Sequence, residues 1–113
     1  MKVILVNGSP HKHGGTYTAL EEVAGELQKQ GIETEIFWCG IKPTMGCLGC
    51  GKCKDTLQYW YGEDMVNEFL NKVKDTDGFV FGTPIHFAGT SGAIKCFMDR
   101  AFCSKLSSYA NKP

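Results

Sequence analysis

Three evenly spaced cysteines lie in one short stretch of the chain. Cys47, Cys50 and Cys53 form a C-x-x-C-x-x-C motif that contains glycines. Thiolates at this spacing can converge on one metal ion or iron-sulfur cluster, because glycine lets the backbone wrap closely around it. A zinc site, or thiols that are packed or redox-reactive without metal, are the alternatives. The motif therefore predicts a functional cysteine site, and its spacing does not distinguish a cluster, a zinc ion and thiols without metal.

The other cysteines and the first residues of the chain bear on its cellular location. Cys39, Cys96 and Cys103 lie in apolar stretches and are predicted to pack as small buried hydrophobes. Residues 1–10, MKVILVNGSP, hold too short an apolar run for a signal peptide or a membrane span. We therefore expect a cytoplasmic protein whose six cysteines do not form a disulfide framework.

A glycine-rich stretch, residues 8–18 (GSPHKHGGTYT), stands between an apolar run and a helical pattern. Open α/β sheets bind ligands at such strand-to-helix connections. The glycines, the hydroxyls and the amide groups that open the helix could bind a phosphate. The stretch lacks the Gly-Lys-Ser/Thr ending of a P-loop and the G-x-G-x-x-G of a dinucleotide fold, which argues against those nucleotides. Alternatively, it simply makes a turn and caps the helix.

A second candidate loop, residues 83–91 (TPIHFAGTS), also joins an apolar run to a helical pattern. It should lie on the same sheet edge as the first loop, so we expect the two loops to face each other. Its apolar and aromatic side chains and its backbone N–H groups suit the isoalloxazine ring of a flavin. The other interpretation, a helix N-cap at Thr90 or Ser91, is compatible with flavin contact.

The elements that must position these loops alternate along the chain. Apolar runs predict strands at Lys2–Asn7, Ile32–Trp38 and Gly78–Gly82, the first central and the second at an edge. Three sets of apolar residues at helical spacing predict the helices: Leu20, Val23, Ala24 and Leu27; Val66, Phe69, Leu70 and Val73; Ile94, Phe97, Met98 and Ala101. Gly31 is expected to end the first helix.

This order predicts an α/β fold with a doubly wound parallel sheet and helices on both faces. The 113 residues suit one domain, and the sequence ends where another buried strand is expected, so we predict a fold truncated after its third strand and third helix. Twelve basic residues balance twelve acidic ones, and the chain has no strong field to attract nucleic acid or an anionic membrane.

Both loops resemble those of the NADPH-dependent FMN reductase and iron-sulfur flavoprotein family, whose fold is flavodoxin-like. Residues 8–18 resemble its Gly-Ser-Pro-(x)n-Gly-x-Thr loop, and residues 84–100 its Pro-x-aromatic-aromatic stretch ending in Lys-x-Phe-x-Asp-Arg. The resemblance implies one flavodoxin-like, FMN-binding domain over residues 1–113. It implies these cofactor-binding residues: Ser9, Gly15, Thr16, Tyr17 and Thr18 in the first loop, and Pro84, Ile85, His86, Phe87 and Ala88 in the second.

Several charged residues near the loops have roles that the resemblance leaves open. Residues 11–13, His-Lys-His, could add charge to a phosphate site or be solvated. His86 stands where the family commonly has an aromatic residue, and we expect stacking or hydrogen bonding from it, since hydride transfer to FMN needs no general base. Lys95, Asp99 and Arg100 are expected to form a structural ion-pair group.

The cysteine motif resembles two versions of the family. Iron-sulfur members carry a fourth cysteine shortly after the third, where this chain has Tyr59 and Trp60. Members known as FMN oxidoreductases have Pro-Cys-x-Gly-Cys-x-x-Cys before Asp-Asp-Met, and residues 43–65 are similar, with Thr44 in place of the first cysteine. A 4Fe-4S cluster, zinc and no metal therefore all stay open.

The resemblance implies an FMN-dependent NAD(P)H oxidoreductase, which passes hydride from NAD(P)H to FMN and on to a quinone, nitro compound or similar acceptor. The alternative is an iron-sulfur flavoprotein that carries electrons for a protein partner and has no nicotinamide site. A noncatalytic zinc or scaffold fragment is the third interpretation. The family usually assembles as homo-oligomers, which we expect here too.

Overall fold

The computed structural model describes residues 1–51 and 65–104, with the side chains of residues 103 and 104 left aside. The strands within these ranges are β1 (Lys2–Asn7), β2 (Glu33–Trp38), β3 (Gly78–Gly82), β4 (Ile85–His86) and β5 (Gly89–Thr90). The helices are α1 (Gly15–Lys29), α2 (Met65–Val73) and α3 (Gly92–Ser104). The described strands and helices follow the predicted order, with β4 and β5 as an addition, and the predicted loop between β2 and α2 lies outside the described residues beyond residue 51.

The main sheet has the order β2-β1-β3, and both pairings are parallel. β1 lies in the centre, as predicted, and its residues from Val3 to Asn7 are buried. Ile4 and Val6 pack into one core cluster, while Val3 and Leu5 pack into another. Because successive strand residues point to opposite faces, this alternation shows that β1 is covered on both sides.

Helix α1 covers one face of the sheet, and a glycine just after its last residue terminates it. Gly31 has a φ of 79°, and its N–H donates to the carbonyl of Gln28 at 3.0 Å. The N–H of Ile32 donates to the carbonyl of Leu27 at 3.1 Å, which completes a Schellman motif. This bond corrects the predicted start of the second strand, because the Ile32 amide ends the helix and β2 begins at Glu33.

One predicted core position of α1 is also corrected. Leu20 and Ala24 are buried and Leu27 is half-buried, but Val23 is 39% exposed. Three strands are too narrow a platform to cover the whole apolar stripe of a fifteen-residue helix within the described part of the chain.

Helices α2 and α3 cover the opposite face of the sheet. The four predicted core residues of α2 are all buried, and Ile94, Phe97 and Ala101 of α3 join them in one cluster. The ring of Phe97 lies 4.9 Å from that of Phe69 and 6.1 Å from that of Phe37 on β2, so an aromatic group joins three elements. Helices therefore lie on both faces of a parallel sheet, as predicted.

Candidate functional site

A cleft of about 370 Å³ opens at the carboxyl ends of the three parallel strands. Its walls come from Gly8 and Pro10 after β1, from residues 40–44 after β2, and, after β3, from His86, residues 91–93 and Cys96. The chain order reverses at β1, since β2 and β3 pair on its two sides, and ligands bind at such switch points. The two predicted ligand loops therefore do contribute to one cleft.

A larger cavity, of about 570 Å³, lies beside this cleft. It shares residues 40–44 with the cleft but extends toward Trp38, Met65 and Glu68. Neither of the two predicted ligand loops lines it, whereas both line the smaller cleft. We therefore take the smaller cleft as the candidate site, because position at the strand ends is a better guide than volume.

Bonds between side chains and backbone shape the first loop. The Asn7 carbonyl oxygen Oδ1 accepts the N–H of Ser9 at 3.0 Å, and the Asn7 amide Nδ2 donates to the carbonyl of Lys12 at 3.2 Å. The hydroxyl of Ser9 accepts the N–H of His11 at 3.1 Å. Asn7 was not among the predicted site residues, although a polar side chain at the end of a buried apolar strand is a signal for such a role.

The edge strand β2 also holds this loop. Trp38 donates from its indole Nε1 to the carbonyl of Ser9 at 2.9 Å, while the ammonium of Lys12 lies 5.5 Å from the centre of its ring. Lys12 is therefore placed against an aromatic face, an arrangement that stabilises a cation. With Asn7, these contacts fix both ends of the turn that leads into α1.

The first turn of α1 has the features of an anion site. Its N-cap, Gly14, has no side chain to cap the helix, and the turn holds no acidic residue. The amide groups there carry the positive end of the helix dipole. Gly15 is exposed, and apart from its chain neighbours and the backbone of its own helix no described atom lies within 4 Å of where its Cβ would be, so a ligand can approach the backbone.

The other predicted residues of this loop have local partners. The hydroxyl of Thr18 donates to the carbonyl of Gly14 at 3.1 Å, and the phenol of Tyr17 donates to Glu21 at 2.9 Å. That hydrogen bond raises the pKa of Tyr17. Thr16 is half-buried, and Ser9 is buried. None of the five predicted residues of the first loop lines the cleft, to which this loop contributes Gly8 and Pro10.

The second loop folds into a small hairpin. Ile85 pairs with Thr90 and His86 with Gly89, so β4 and β5 are joined by the two-residue turn Phe87-Ala88. Both turn residues have positive φ, 47° and 62°, as a type I′ turn requires. Of the predicted flavin-lining residues, His86 lines the cleft, Pro84 is half-buried, and Ile85, Phe87 and Ala88 are exposed.

Two hydroxyls fix this loop to its surroundings. Thr83 donates to the carbonyl of Pro84 at 2.9 Å and accepts the N–H of Ser91 at 3.0 Å. The hydroxyl of Ser91 accepts the N–H of Ile94 at 3.2 Å, so Ser91 is the N-cap of α3. The same hydroxyl donates to the carbonyl of Gly8 at 2.9 Å, which links the second loop directly to the first.

The described part of the cysteine motif is exposed. Cys47 accepts the N–H of Gly49 on its sulfur at 3.3 Å, and Gly49 and Gly51 have positive φ. Cys50 is exposed on the same loop, and Cys53 lies outside the described residues. Residues 1–51 and 65–104 contain no group of three or more His, Cys, Asp or Glu side chains that could hold a metal ion.

The three cysteines expected in the core behave differently from one another. Cys39 is buried, as predicted, and burial raises the pKa of its thiol to about 12. Cys96 is half-buried and lines the cleft, which corrects the prediction for that residue. Its sulfur is 3.7 Å from where a Cβ of Gly46 would stand, so helix α3 meets the cysteine loop there. The side chain of Cys103 lies outside the described part.

The charged group on α3 divides into two parts. Lys95 and Asp99 form an exposed ion pair one helical turn apart, as predicted. Arg100 is fully buried and donates from Nη1 to the carbonyl of Met45 at 3.2 Å. Arg100 therefore holds the segment that leads into the cysteine motif.

A family model described as NADPH-dependent FMN reductase matches residues 1–113. The chain belongs to this family. It is 38% identical over 101 residues to an iron-sulfur flavoprotein of Methanocaldococcus jannaschii. The alignment covers 89% of this chain and 52% of that protein. It is 28% identical over 110 residues to a protein of Pseudomonas putida named FMN reductase (NADPH), with 94% of this chain and 51% of that protein covered.

Solved structures show the same fold. The crystal structure of RosB with bound 8-demethyl-8-formylriboflavin-5′-phosphate superposes with a TM-score of 0.66 at 19% identity, covering 87% of this chain and 40% of RosB. The fold is flavodoxin-like. The chain spans about half the length of the curated relatives that it matches. In the described residues, no helix is long and apolar enough to cross a membrane.

Proposed function

We propose that residues 1–113 form the FMN-binding domain of a flavin-dependent oxidoreductase. The observation that carries this proposal is the cleft at the switch point, where the loops after all three parallel strands meet. Its volume of about 370 Å³ lies within the range of small-molecule sites, roughly 300–1,000 Å³. Membership of the FMN reductase family supports the choice of cofactor.

The first turn of α1 and the cleft together offer groups that suit the two ends of FMN. The first turn of α1 offers the backbone amides of Gly15 to Tyr17 without a competing acid, which suits the phosphate, while the amide of Thr18 already donates to the carbonyl of Gly14. Ser9 would help to shape that site, since its hydroxyl already holds the His11 amide. The hairpin segment Pro84–Ala88 would line the flavin ring, with His86 in the wall of the cleft. FMN would supply the hydride-accepting ring and pass electrons onward.

The protein's own residues would bind and orient the cofactor. We propose NAD(P)H as the electron donor and a quinone, nitro compound or similar small molecule, or a protein, as the acceptor. The relative named FMN reductase (NADPH) supports the nicotinamide donor. His86 would contact the ring by stacking or hydrogen bonding. We also propose a cytoplasmic homo-oligomer, to which the exposed side chains of Ile85 and Phe87 beside the cleft would contribute.

A second candidate is an iron-sulfur flavoprotein that exchanges electrons with a protein partner and does not use a nicotinamide. The exposed thiols of Cys47 and Cys50 on a glycine-rich loop favour it, since an exposed cluster could reach a partner. The name of the Methanocaldococcus relative supports it as well. Arg100 on α3, the helix that lines the cleft, anchors the segment that precedes this loop.

An anaerobic titration separates the two candidates. The protein is loaded with FMN, and the flavin absorbance is followed as NADPH and then NADH are added. Rapid bleaching by either nucleotide supports the reductase. A flavin that stays oxidised with both nucleotides but is reduced by dithionite supports the electron carrier. A protein that takes up no FMN would rule out both.

Iron analysis tests the electron carrier further. Protein purified without air is assayed for iron and sulfide, and its reduced form is examined by electron paramagnetic resonance. Four iron atoms per chain would indicate a 4Fe-4S cluster, which should be lost in Cys50→Ala and kept in the control Cys39→Ala, because Cys39 is buried in the core. Wild-type protein without iron would exclude this candidate.

A further inference from the structure

One buried hydroxyl joins the two loops of the candidate cleft. Ser91 is 3% exposed, and its hydroxyl donates to the carbonyl of Gly8 at 2.9 Å across 83 positions of sequence. It accepts the N–H of Ile94 at 3.2 Å in the first turn of α3. The hydroxyl thus bonds a backbone group of the first loop and a backbone group of the helix that follows the second loop.

The position of Gly8 makes this bond important for the first loop. The N–H of Gly8 donates to the carbonyl of Gly82 at 2.8 Å, which continues the ladder between β1 and β3. The carbonyl of Gly8 is bonded to Ser91, so the chain is fixed in direction as it leaves the sheet toward Ser9 and α1. A Cβ on Gly8 would be 2.7 Å from the Cβ of Ile94, which shows how closely the loop and α3 pack.

The other side of the junction forms part of the cleft wall. Ser91, Gly92 and Ala93 line the cleft, and the N–H of Ser91 is itself held by the hydroxyl of Thr83 at 3.0 Å. Movement of Ser91 would therefore change the wall of the cleft and the direction of the first loop together.

We propose that Ser91 is a positioning residue that sets the distance between the phosphate-binding turn of α1 and the ring-binding cleft. This inference rests on the proposed function. FMN must reach both places at once, whereas riboflavin has the same ring and no phosphate. Loss of the Ser91 hydroxyl should therefore weaken FMN binding more than riboflavin binding. General destabilisation of the fold would weaken the binding of both ligands equally.

The experiment measures the dissociation constants of FMN and riboflavin by quenching of flavin fluorescence. Ser91→Ala removes the hydroxyl, and Ser91→Gly removes it too while leaving a residue that caps helices well. In both variants we expect the preference for FMN over riboflavin to fall about tenfold, the size of one buried hydrogen bond. Ser91→Thr retains a hydroxyl and should retain the wild-type preference.

A matched control comes from the other end of the sheet. Thr76 is buried, and its hydroxyl donates to the carbonyl of Lys72 at 2.7 Å, away from the cleft. Thr76→Val removes a bond of the same kind and should leave the preference for FMN unchanged. Thermal unfolding of each variant shows how much stability was lost.

Three results would overturn the inference. The first is a folded Ser91→Ala or Ser91→Gly variant with the wild-type preference for FMN. The second is Ser91→Thr losing the preference as Ser91→Ala does, because the hydroxyl would then not be the responsible group. The third is wild-type protein that binds neither flavin, which also removes the proposed function. In the first two cases wild-type protein binds FMN, so the proposed function stands.

Discussion

Single side chains determine the shape of the candidate cleft by bonding backbone groups. Asn7 and Ser9 hold the first loop, and Ser91 connects that loop to the start of α3. Each of these side chains is buried, where an unmade hydrogen bond would be costly. The polar residues around the cleft are therefore part of the folded framework as well as of the proposed site.

The close contact at Gly8 predicts a large effect from a small substitution. Gly8→Ala would place a Cβ 2.7 Å from that of Ile94, so helix α3 or the first loop must shift. We expect the free energy of unfolding to fall by about 1–3 kcal/mol, as for an overpacked core. Chemical denaturation measures this change.

A second glycine provides the control for that measurement. Gly25 lies inside α1, and apart from its chain neighbours and the helix backbone no described atom lies within 4 Å of its Cβ position, so Gly25→Ala should stabilise the protein by about 0.5–1 kcal/mol. Equal stability of Gly8→Ala and wild type would contradict the contact between the loop and α3.

The ion group around Glu35 predicts a specific dependence on pH. Partial burial acts to raise the pKa of Glu35, but hydrogen bonds from Lys72 and Lys2 outweigh it and hold the pKa below its usual value. A carboxyl with a lowered pKa contributes stability above the pKa of the unfolded chain, and this contribution is lost as the pH falls through the folded pKa.

We therefore expect wild type to be more stable than Glu35→Gln at neutral pH, by an amount that shrinks as the pH falls from about 5 to about 3. Denaturation curves across this range test it, and Glu33→Gln, at an exposed position of the same strand, is the control. A difference that is constant with pH would contradict the role of Glu35.

Among the elements, the β4–β5 hairpin departs most from its local sequence preference. Type I′ turns favour Asn-Gly, yet this turn is Phe87-Ala88, and Phe87 is fully exposed at its tip. Left-handed backbone costs about 1–2 kcal/mol at a residue other than glycine. Such strain commonly accompanies ligand-binding segments, and the hairpin borders the candidate cleft.

A double substitution separates stability from binding at this hairpin. Phe87→Asn with Ala88→Gly should raise the free energy of unfolding by roughly 1–2 kcal/mol, and it should lower the affinity for FMN if the exposed ring of Phe87 closes on the bound flavin as proposed. Ala88→Gly alone is the control, since it relieves strain and keeps Phe87. Unchanged FMN affinity in the double variant would show that Phe87 does not contact the flavin.

The elements differ in how far the sequence could predict them. The bounds of β1 and β3 were predictable because each is an uninterrupted apolar run ending at a turn signal. The start of β2 was not, since the amide of Ile32 serves the end of α1. The hairpin was not either, because Phe87-Ala88 carries no turn signal and its geometry depends on pairing across the loop.

At the scale of the whole molecule, the parallel order β2-β1-β3 brings three loops to one edge of the sheet. The sequence predicted that the two ligand loops would share this edge, because the carboxyl ends of parallel strands do so. It could not predict that Cys96 would face the cleft, or that Asn7 and Ser91 would hold the loops, since these depend on contacts between distant segments.

Titration of FMN into the purified protein, followed by isothermal calorimetry, tests the central claim most directly. We predict saturable binding of one FMN per chain, weakened by added inorganic phosphate, which would compete for the first turn of α1. Binding heat that is absent over the whole titration, with an unchanged flavin spectrum, would contradict the assignment of the cleft to FMN.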